Sequence, residues 1–291
     1  KNNRRKFLRI YYGEMNSSWY GKSILIAGIT DRSSLALAIA RHLQQLGVQL
    51  ICTGLGETSH HANLSEKSAQ FLRKNYEDFT DTVAQELGPD VQTAVLDVTL
   101  DGSVAELAEH LRRKGTKLDG IVHAVAMDKT IRGGFAKNLL DVTREEFAGA
   151  MDVSAYSLIV LTRSLIESEV LAPGASVLSL SYLGASRVMT HPYKNIGVAK
   201  SALERITLEM AQELGLRGIR VNAIRFSPYA VSKAGAAIPG LAEAVASCDS
   251  LSPLGNARPE DLARAAAFLL SPDLRITGQI LHVDGGYSIG G

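Results

Sequence analysis

The chain has 291 residues, 46% of them hydrophobic and 21% charged, which is enough apolar material for a large core. Its net charge is +1, yet five basic residues and one acid fall within the first 14 positions, so the remainder is slightly acidic and lacks the basic surface of a nucleic-acid binder. No apolar run approaches the roughly 18–20 residues of a membrane span, and Cys52 and Cys248 match no metal-ligand spacing, which favours a reducing compartment.

The basic start predicts a flexible N-terminal extension over residues 1–20, followed by one domain over residues 21–291. This start lacks the long apolar stretch of a secretory signal. We therefore expect a cytoplasmic protein. A plastid-type organelle is the alternative if the basic start is the remnant of a targeting peptide.

The first predicted element is a continuous apolar run over residues 22–28, which is typical of a buried parallel strand. A hydroxyl-rich turn follows and ends at Ser34, and an alanine-rich amphipathic helix begins directly after it. Backbone N–H groups and the positive end of that helix would face the turn, so this segment predicts a phosphate site. Gly28 is its only glycine. Without the usual G-x-G-x-x-G spacing, a strand–helix start that binds no nucleotide stays open.

The second strand, over residues 47–53, ends where a dinucleotide fold meets the adenosine ribose. Gly56 and Glu57 are the candidates for that contact, and no Arg or Lys stands near them in the sequence to hold a 2′-phosphate. This favours NADH over NADPH. An insertion over residues 58–89 follows, with a helix over residues 65–86 that we expect to pack on the edge of the sheet. The pair His60-His61 is predicted to lie in a solvated loop rather than at a metal.

Strand and helix alternate through the rest of the chain. Strands are predicted over residues 94–98, 118–126, 175–181, 219–224 and 278–286, and helices over residues 103–114, 143–168 and from the Lys200 region to Gly215 or Gly218. This alternation predicts an α/β fold, a single doubly wound parallel sheet of seven strands with helices on both faces. Asp97, at the end of the third strand, could accept a hydrogen bond from an adenine amino group.

The segment from Leu178 to Lys200 carries the groups best suited to chemistry. It begins as an apolar strand, breaks into a polar loop that holds Tyr182 and Tyr193, and continues as a helix. A tyrosine can donate a hydrogen bond to a developing oxyanion. Lys200 follows Tyr193 by seven positions, which places both on one helix face. There its charge would lower the phenol pKa and hold a ribose hydroxyl.

These residues make the chain resemble the short-chain dehydrogenase/reductase superfamily and, within it, the NADH-dependent enoyl-[acyl-carrier-protein] reductases. The Tyr-x6-Lys spacing of Tyr193 and Lys200 stands in place of the superfamily's usual Tyr-x3-Lys, and a Leu-Ser-Tyr-Leu-Gly-Ala segment precedes it at residues 180–185. The nucleotide turn matches the family's Gly-x5-Ser-x-Ala from Gly28 onward. The resemblance covers the chain from about Gly21 to its C-terminus.

The resemblance implies a Rossmann-type fold and reduction of the trans-2 C=C bond of an enoyl thioester by NADH, in fatty acid or related acyl-chain synthesis. Tyr193 would hydrogen-bond the thioester oxygen, Lys200 would bind the nicotinamide ribose, and Tyr182 would line the acyl pocket. The residues implied to contact the dinucleotide are Gly28, Ser34, Leu35, Asp97, Val98, Ala126 and Lys200.

The same resemblance implies an acyl carrier protein as partner. Such a carrier is acidic, so basic surface is expected near the acyl portal, with Arg187, Lys194 and Arg225 as candidate contributors. A homotetramer with the long helices at its interfaces is implied as well. Neither nucleic acid nor a membrane is expected as a partner.

The loop after the sixth strand departs from the family pattern. The family reads Ala-Gly-Pro-Ile-Arg-Thr where residues 226–231 read Phe-Ser-Pro-Tyr-Ala-Val. Phe226 and Tyr229 are therefore expected to add bulk beside the nicotinamide, within a substrate lid over residues 226–250. Tyr229 and Lys233 also spell Tyr-x3-Lys, the motif of carbonyl-reducing members, although after the sixth strand rather than before it. A carbonyl-reducing dehydrogenase and a non-catalytic dinucleotide-binding sensor remain the alternatives.

Overall fold

The computed structural model describes residues 18–132, 135–189, 193–236 and 238–290. Most of the predicted N-terminal extension, residues 1–17, lies outside these ranges. Within them, no helix combines the length and the apolar character that crossing a bilayer requires.

Seven parallel strands form the central sheet. They are β1 (Ser23–Ala27), β2 (Gln49–Gly54), β3 (Gln92–Val95), β4 (Leu118–His123), β5 (Leu171–Tyr182), β6 (Arg220–Phe226) and β7 (Ile280–Val283). Their spatial order is β3-β2-β1-β4-β5-β6-β7, and every neighbouring pair is parallel. The order reverses between β1 and β4, so the predicted doubly wound, seven-stranded sheet is confirmed. β3 ends at Val95, short of the prediction, which leaves Asp97 and Val98 in the loop that follows.

Helices link successive strands. They are α1 (Leu35–Gln45), α2 (Glu66–Leu87), α3 (Asp101–Arg113), α4 (Arg144–Met151), α5 (Ser157–Glu167), α6 (Lys194–Leu214), α7 (Lys233–Ala236), α8 (Leu241–Leu251) and α9 (Pro259–Leu270). Where the sequence predicted one helix over residues 143–168, a π turn (Asp152–Tyr156) separates α4 from α5. A short hairpin pairs Ile131–Arg132 with Phe135–Ala136.

The core lies in two layers, one on each face of the sheet. In β1 the side chains alternate, so that Ile24 and Ile26 join one cluster and Leu25 joins the other, as the period of two in a strand requires. The first layer is completed by α1 and α9, and the second by α3, α5 and α6. Because both faces are covered, the strands read as nearly continuous apolar runs.

The insertion between β2 and β3 is built around α2. Its first turn is capped by Ser65, whose hydroxyl accepts a hydrogen bond from the Ser68 N–H at 3.2 Å. Phe79, fully buried, packs on β2 at Gly54, where a Cβ would lie 2.4 Å from the Phe79 ring. The predicted packing at the edge of the sheet is therefore confirmed, since α2 contacts β2 and the edge strand β3.

Candidate functional site

A cavity of ≈ 500 Å³ opens at the carboxyl ends of β1, β2, β4 and β5. This is the crevice where the strand order reverses, the usual ligand position in an open parallel sheet. Nine of the residues that the sequence suggested for cofactor binding and catalysis line it, namely Gly28, Ser34, Leu35, Asp97, Val98, Ala126, Tyr182, Tyr193 and Lys200. Gly56 and Glu57, the candidates for the ribose contact, are not among its described lining residues, and Glu57 instead lines a neighbouring open cavity. The fold thus gathers positions more than 170 residues apart around one space, and their individual roles stay predictions.

The turn after β1 is shaped to admit a phosphate. Gly28 has φ +113°, and a Cβ there would lie 2.3 Å from the backbone oxygen of Ala124, so the close approach of β4 requires glycine. Ser34 precedes α1 and is 6% exposed, and its hydroxyl has no hydrogen-bond partner among the described residues. A buried hydroxyl of this kind at a helix N-terminus suits a ligand phosphate. The residues present therefore fit a dinucleotide.

Asp97 organises the side of the cavity where the loops after β2 and β3 meet. One carboxylate oxygen accepts hydrogen bonds from the Thr99 N–H at 2.9 Å and the Thr99 hydroxyl at 2.6 Å. The other oxygen lies 3.1 Å from Nε2 of His61, whose side chain is only 11% exposed. The prediction of a solvated loop is wrong for His61, because the loop after β2 folds back onto Asp97. It holds for His60, which is exposed. No metal-binding cluster occurs in the part of the chain that the structure describes.

A basic residue that sequence reasoning missed lies beside the loop after β2. Asn75 on α2 donates to the Leu55 carbonyl oxygen at 2.8 Å, and both residues line the cavity. Two positions earlier on the same helix, Arg73 forms ion pairs with Glu57 and Glu66, each at 2.8 Å. No Arg or Lys stands near Glu57 along the sequence, but the fold brings Arg73 against it. The expectation that no cation is available near the ribose is therefore wrong. Since Arg73 is 16 residues away in the chain, no local pattern could reveal it.

Lys200 is buried at the end of the cavity that Tyr182 and Tyr193 line. Its Nζ donates to the carbonyl oxygens of Leu180 at 2.8 Å and Val125 at 3.3 Å, and the residue is 5% exposed. Loss of hydration on burial lowers the pKa of Lys200 to about 7, while the nearby Glu204 carboxylate acts in the opposite direction. The ammonium is therefore held in place by backbone oxygens and titrates close to neutrality.

The two tyrosines of the segment pack against each other, with ring centroids 5.3 Å apart. The Tyr182 hydroxyl donates to the Tyr193 backbone oxygen at 2.9 Å, and Gly184 leaves the room that the Tyr182 ring fills. Burial raises the pKa of the Tyr193 phenol, and the Asp128 carboxylate adds to this. The expectation that Lys200 lowers this pKa is wrong. The phenol instead keeps its proton at neutral pH and can act as a hydrogen-bond donor.

Behind Lys200 lies a buried ion pair. Glu204 receives two hydrogen bonds from Arg225, at 2.7 and 2.5 Å, and one from the Ser181 hydroxyl at 2.6 Å. The side chains of Arg225 and Glu204 are 16% and 9% exposed. Arg225 was suggested as part of a basic portal, and this is wrong because its guanidinium is committed to Glu204 inside the fold.

The other two suggested portal residues do reach the surface. Arg187 and Lys194 are exposed and border a second cavity of ≈ 340 Å³, which shares Tyr182 and Tyr193 with the main cavity. The two tyrosines thus form a common wall between the dinucleotide crevice and a space with basic residues at its rim.

The π turn fixes the loop that follows β4. The Ser154 hydroxyl accepts from the Met127 N–H at 3.1 Å and donates to the Met127 carbonyl oxygen at 3.3 Å. One turn later, the Ser157 hydroxyl donates to the Val153 carbonyl oxygen and lies 2.7 Å from Nε2 of the fully buried His123. π turns are frequent at functional sites. Sequence reasoning missed these positioning contacts, because a helical pattern does not show where one extra residue is inserted.

The loop after β6 lies differently from the prediction. Phe226 is 3% exposed and belongs to the core, and Tyr229 packs edge-on against it at 6.4 Å. The described residues that line the main cavity include Ser232 from this loop but neither of those two aromatic residues. The expectation that they stand beside the nicotinamide is therefore wrong. Lys233 begins the four-residue helix α7, and its side chain lies outside the described part of the structure.

The chain is similar to known proteins in both sequence and structure. A family model described as enoyl-(acyl carrier protein) reductase matches residues 68–288. The chain is 33% identical over 274 residues to enoyl-[acyl-carrier-protein] reductase [NADH] FabI of Escherichia coli, which covers 92% of this chain and 95% of that protein. It is 34% identical over 277 residues to the enzyme of the same name from Synechocystis, which covers 93% and 98%.

Solved structures give the same picture. The crystal structure of enoyl-[acyl-carrier-protein] reductase (NADH) from Aquifex aeolicus superposes with a TM-score of 0.78 at 31% identity, covering 94% of this chain and 99% of that one. The Bacillus cereus enoyl-acyl carrier protein reductase, solved with NADP+ and indole naphthyridinone, superposes with a TM-score of 0.80 at 28% identity, covering 94% and 98%.

Proposed function

The chain belongs to the enoyl-[acyl-carrier-protein] reductase family, and on that premise we propose that it reduces the trans-2 C=C bond of an enoyl thioester with NADH. The substrate is presented by an acyl carrier protein, in fatty acid or related acyl-chain synthesis. One observation carries the proposal: Tyr182, Tyr193 and Lys200 line the same cavity as the phosphate-binding turn. Groups that can act on a thioester and groups that can hold a dinucleotide therefore meet in one place.

When bound, NADH supplies hydride to the β-carbon of the enoyl thioester. Negative charge then develops on the thioester oxygen, and the Tyr193 phenol donates a hydrogen bond to it. Burial keeps that phenol protonated by raising its pKa, which is the state a donor needs. A donor that is already in place where the charge develops stabilises the transition state more than the ground state.

Lys200 acts on the cofactor rather than on the substrate. An ammonium has three N–H donors, and two of them reach the backbone oxygens of Leu180 and Val125. The third would donate to the hydroxyls of the nicotinamide ribose. The remaining cofactor contacts proposed are the phosphates at Gly28 and Ser34, beside Leu35, and the adenosine at Asp97, Val98 and Ala126.

Tyr182 has a different role from Tyr193, because its hydroxyl is already bonded to a backbone oxygen. We propose that its ring forms the wall of the acyl pocket. Arg187 and Lys194, at the rim of the adjoining cavity, would attract the acidic carrier protein. A lid over residues 226–250 would close the site, which Ser232 supports by lining the main cavity.

We also propose that the chain assembles as a homotetramer through its long helices. Apolar side chains on α4, the π turn and α6 support this, because Phe147, Tyr156 and Leu208 are 40%, 41% and 39% exposed. Such side chains on neighbouring helices suit burial against a second copy. Residues 21–291 would form one domain in each copy. Both cysteines are free and buried, which suits a reducing compartment such as the cytoplasm.

The direct test is the oxidation of NADH in the presence of trans-2-enoyl thioesters of short and medium chain length. We expect turnover with these substrates and none with the matching 3-ketoacyl thioesters. The opposite preference would refute the proposal in favour of a carbonyl-reducing dehydrogenase. Cofactor binding by calorimetry without turnover of any acyl thioester would favour a dinucleotide sensor.

A further inference from the structure

The loop that follows β2 packs against helix α2. In dinucleotide folds the residue just past β2 contacts the ribose 2′ position, and here residues 55–57 follow Gly54 at that point. Asn75 fastens this loop to α2 through the Leu55 carbonyl oxygen at 2.8 Å. A Cβ at Gly56 would lie 2.9 Å from the Tyr76 Cβ, so the loop and the helix are in close contact. The part of α2 around Arg73 and Asn75 therefore lies beside the place where NADH and NADPH would differ.

The Arg73 guanidinium lies at this place and is already paired with two carboxylates. Its NH1 lies 2.8 Å from Glu57 Oε2 and its NH2 lies 2.8 Å from Glu66 Oε1. Without these carboxylates, the same two nitrogens could donate a pair of parallel hydrogen bonds to a phosphate. The three charges sum to −1. Glu57, Arg73 and Glu77 line an open cavity of ≈ 510 Å³, which is separate from the main cavity and lies beside it at the loop after β2.

We propose that Glu57 and Glu66 make this chain select NADH over NADPH, because they occupy the guanidinium that would otherwise bind the 2′-phosphate. A 2′-phosphate entering here meets an excess of carboxylates, whereas a 2′-hydroxyl can donate to Glu57. The side chains of Arg73, Glu57 and Glu66 are 47%, 36% and 73% exposed, so Arg73 can reorient once the carboxylates are removed. The inference rests on the proposed function only in taking NADH as the cofactor.

The experiment measures dissociation constants for NADH and NADPH from the fluorescence change of the reduced nicotinamide, at low ionic strength and without acyl substrate. In the variant Glu57→Gln/Glu66→Gln we expect NADPH to bind about tenfold more tightly than in the parent chain, because two like charges are removed. NADH affinity should change by less than about threefold, since a glutamine oxygen still accepts from the 2′-hydroxyl.

Two further variants test whether the tighter binding of NADPH depends on Arg73. Adding Arg73→Ala to the double variant should abolish it. The matched control is Asp78→Asn, which removes one carboxylate from the same helix and releases Lys74 from its exposed ion pair at 2.6 Å. This control should leave the ratio of the two dissociation constants unchanged.

An unchanged ratio in the double variant would overturn the proposal, as would a gain that survives Arg73→Ala or that Asp78→Asn reproduces. Binding of neither dinucleotide would overturn it together with the cofactor assignment. Because the readout is binding, a chain that binds NADH selectively but reduces no enoyl thioester would refute the proposed reaction and leave this inference standing.

Discussion

Charged groups are stabilised in opposite ways at the proposed reaction end of the main cavity, around Lys200, and at the proposed adenosine end, beside the loop after β2. At the reaction end Lys200 is buried and the two tyrosines are half-buried. Loss of hydration lowers the pKa of Lys200 and raises the pKa of both phenols, which favours the neutral form of each group. At the adenosine end, Arg73, Glu57 and Glu66 stay partly exposed and are balanced by one another. Burial can change the free-energy difference between the two protonation states of a group by several kcal/mol. An exposed ion pair contributes about 1 kcal/mol or less to the free energy of unfolding.

This difference in burial separates the groups proposed to act in the reaction from the groups proposed to select the cofactor. A change at the reaction end should alter stability, pH dependence and rate together, because each group there is held by burial. A change at the adenosine end should alter the choice of cofactor and leave the fold intact. The Glu57→Gln/Glu66→Gln variant tests the adenosine end. Four single substitutions test the reaction end and the turn after β1.

The largest effect is expected from Lys200→Met, which replaces the buried ammonium with an apolar chain. Lys200 has its pKa lowered to about 7 from an ordinary value of 10.5, so the unfolded chain binds its proton more tightly than the folded chain. Stability of the parent should therefore fall as the pH drops from about 10.5 to about 7, by about 5 kcal/mol in the limit. The variant should lack this fall.

Urea unfolding of both chains between pH 6 and pH 10 measures this difference. The exposed Lys194, on the same helix, provides the control, because Lys194→Met should leave the pH dependence of the parent unchanged. Parallel pH curves for the parent and Lys200→Met would show that burial does not displace the Lys200 pKa.

The next effect concerns the ion pair behind Lys200. Glu204→Gln leaves the Arg225 charge enclosed without a countercharge, and removing one partner of a buried pair costs about 3 kcal/mol of unfolding free energy. It also removes the group that raises the Lys200 pKa, so that pKa should fall further. Urea unfolding at neutral pH measures the loss of stability.

The control for Glu204→Gln lies one turn along α6. Glu209 pairs with Arg205 in the exposed i,i+4 arrangement, and Glu209→Gln should cost less than about 0.5 kcal/mol. Equal losses for the two variants would contradict the account of Glu204 as a buried countercharge.

A smaller effect is expected from Ser34→Ala in the phosphate-binding turn. The Ser34 hydroxyl makes no hydrogen bond to any described residue, so its loss should leave the unfolding free energy nearly unchanged. NADH should bind about tenfold more weakly, since a hydrogen bond to a charged phosphate is lost. Calorimetric titration with Ser33→Ala as the neighbouring control measures this. Unaltered affinity in Ser34→Ala would remove the phosphate role.

The architecture was accessible from the sequence because its signals are local. Short apolar runs separated by amphipathic helices fixed the number of strands, and glycine after β1 marked the phosphate turn. Helix geometry alone also predicts that residues seven positions apart lie on one face, and Tyr193 and Lys200 do line the same cavity. The direction of the Tyr193 pKa was mispredicted, because it depends on burial and on Asp128, which no spacing in the chain reveals.

Other features depend on contacts between distant segments. His61 reaches Asp97 across 36 residues, and Arg225 reaches Glu204 across 21. Both side chains are polar and were expected at the surface, which is the usual place for such residues. Their partners emerge only when the loop after β2 and the strand β6 are placed in the fold. The contact between Arg73 and Glu57 could not be predicted from the sequence for the same reason.

The central claim is that the Tyr193 phenol, and not that of Tyr229, stabilises the charge that develops on the substrate. Steady-state rates with an enoyl thioester and NADH, measured for Tyr193→Phe beside Tyr229→Phe, test it most directly. The account predicts that Tyr193→Phe lowers kcat roughly 100-fold at an unchanged dissociation constant for NADH, and that Tyr229→Phe changes neither quantity. A Tyr193→Phe chain that retains its kcat, or a Tyr229→Phe chain that loses it, would contradict the account.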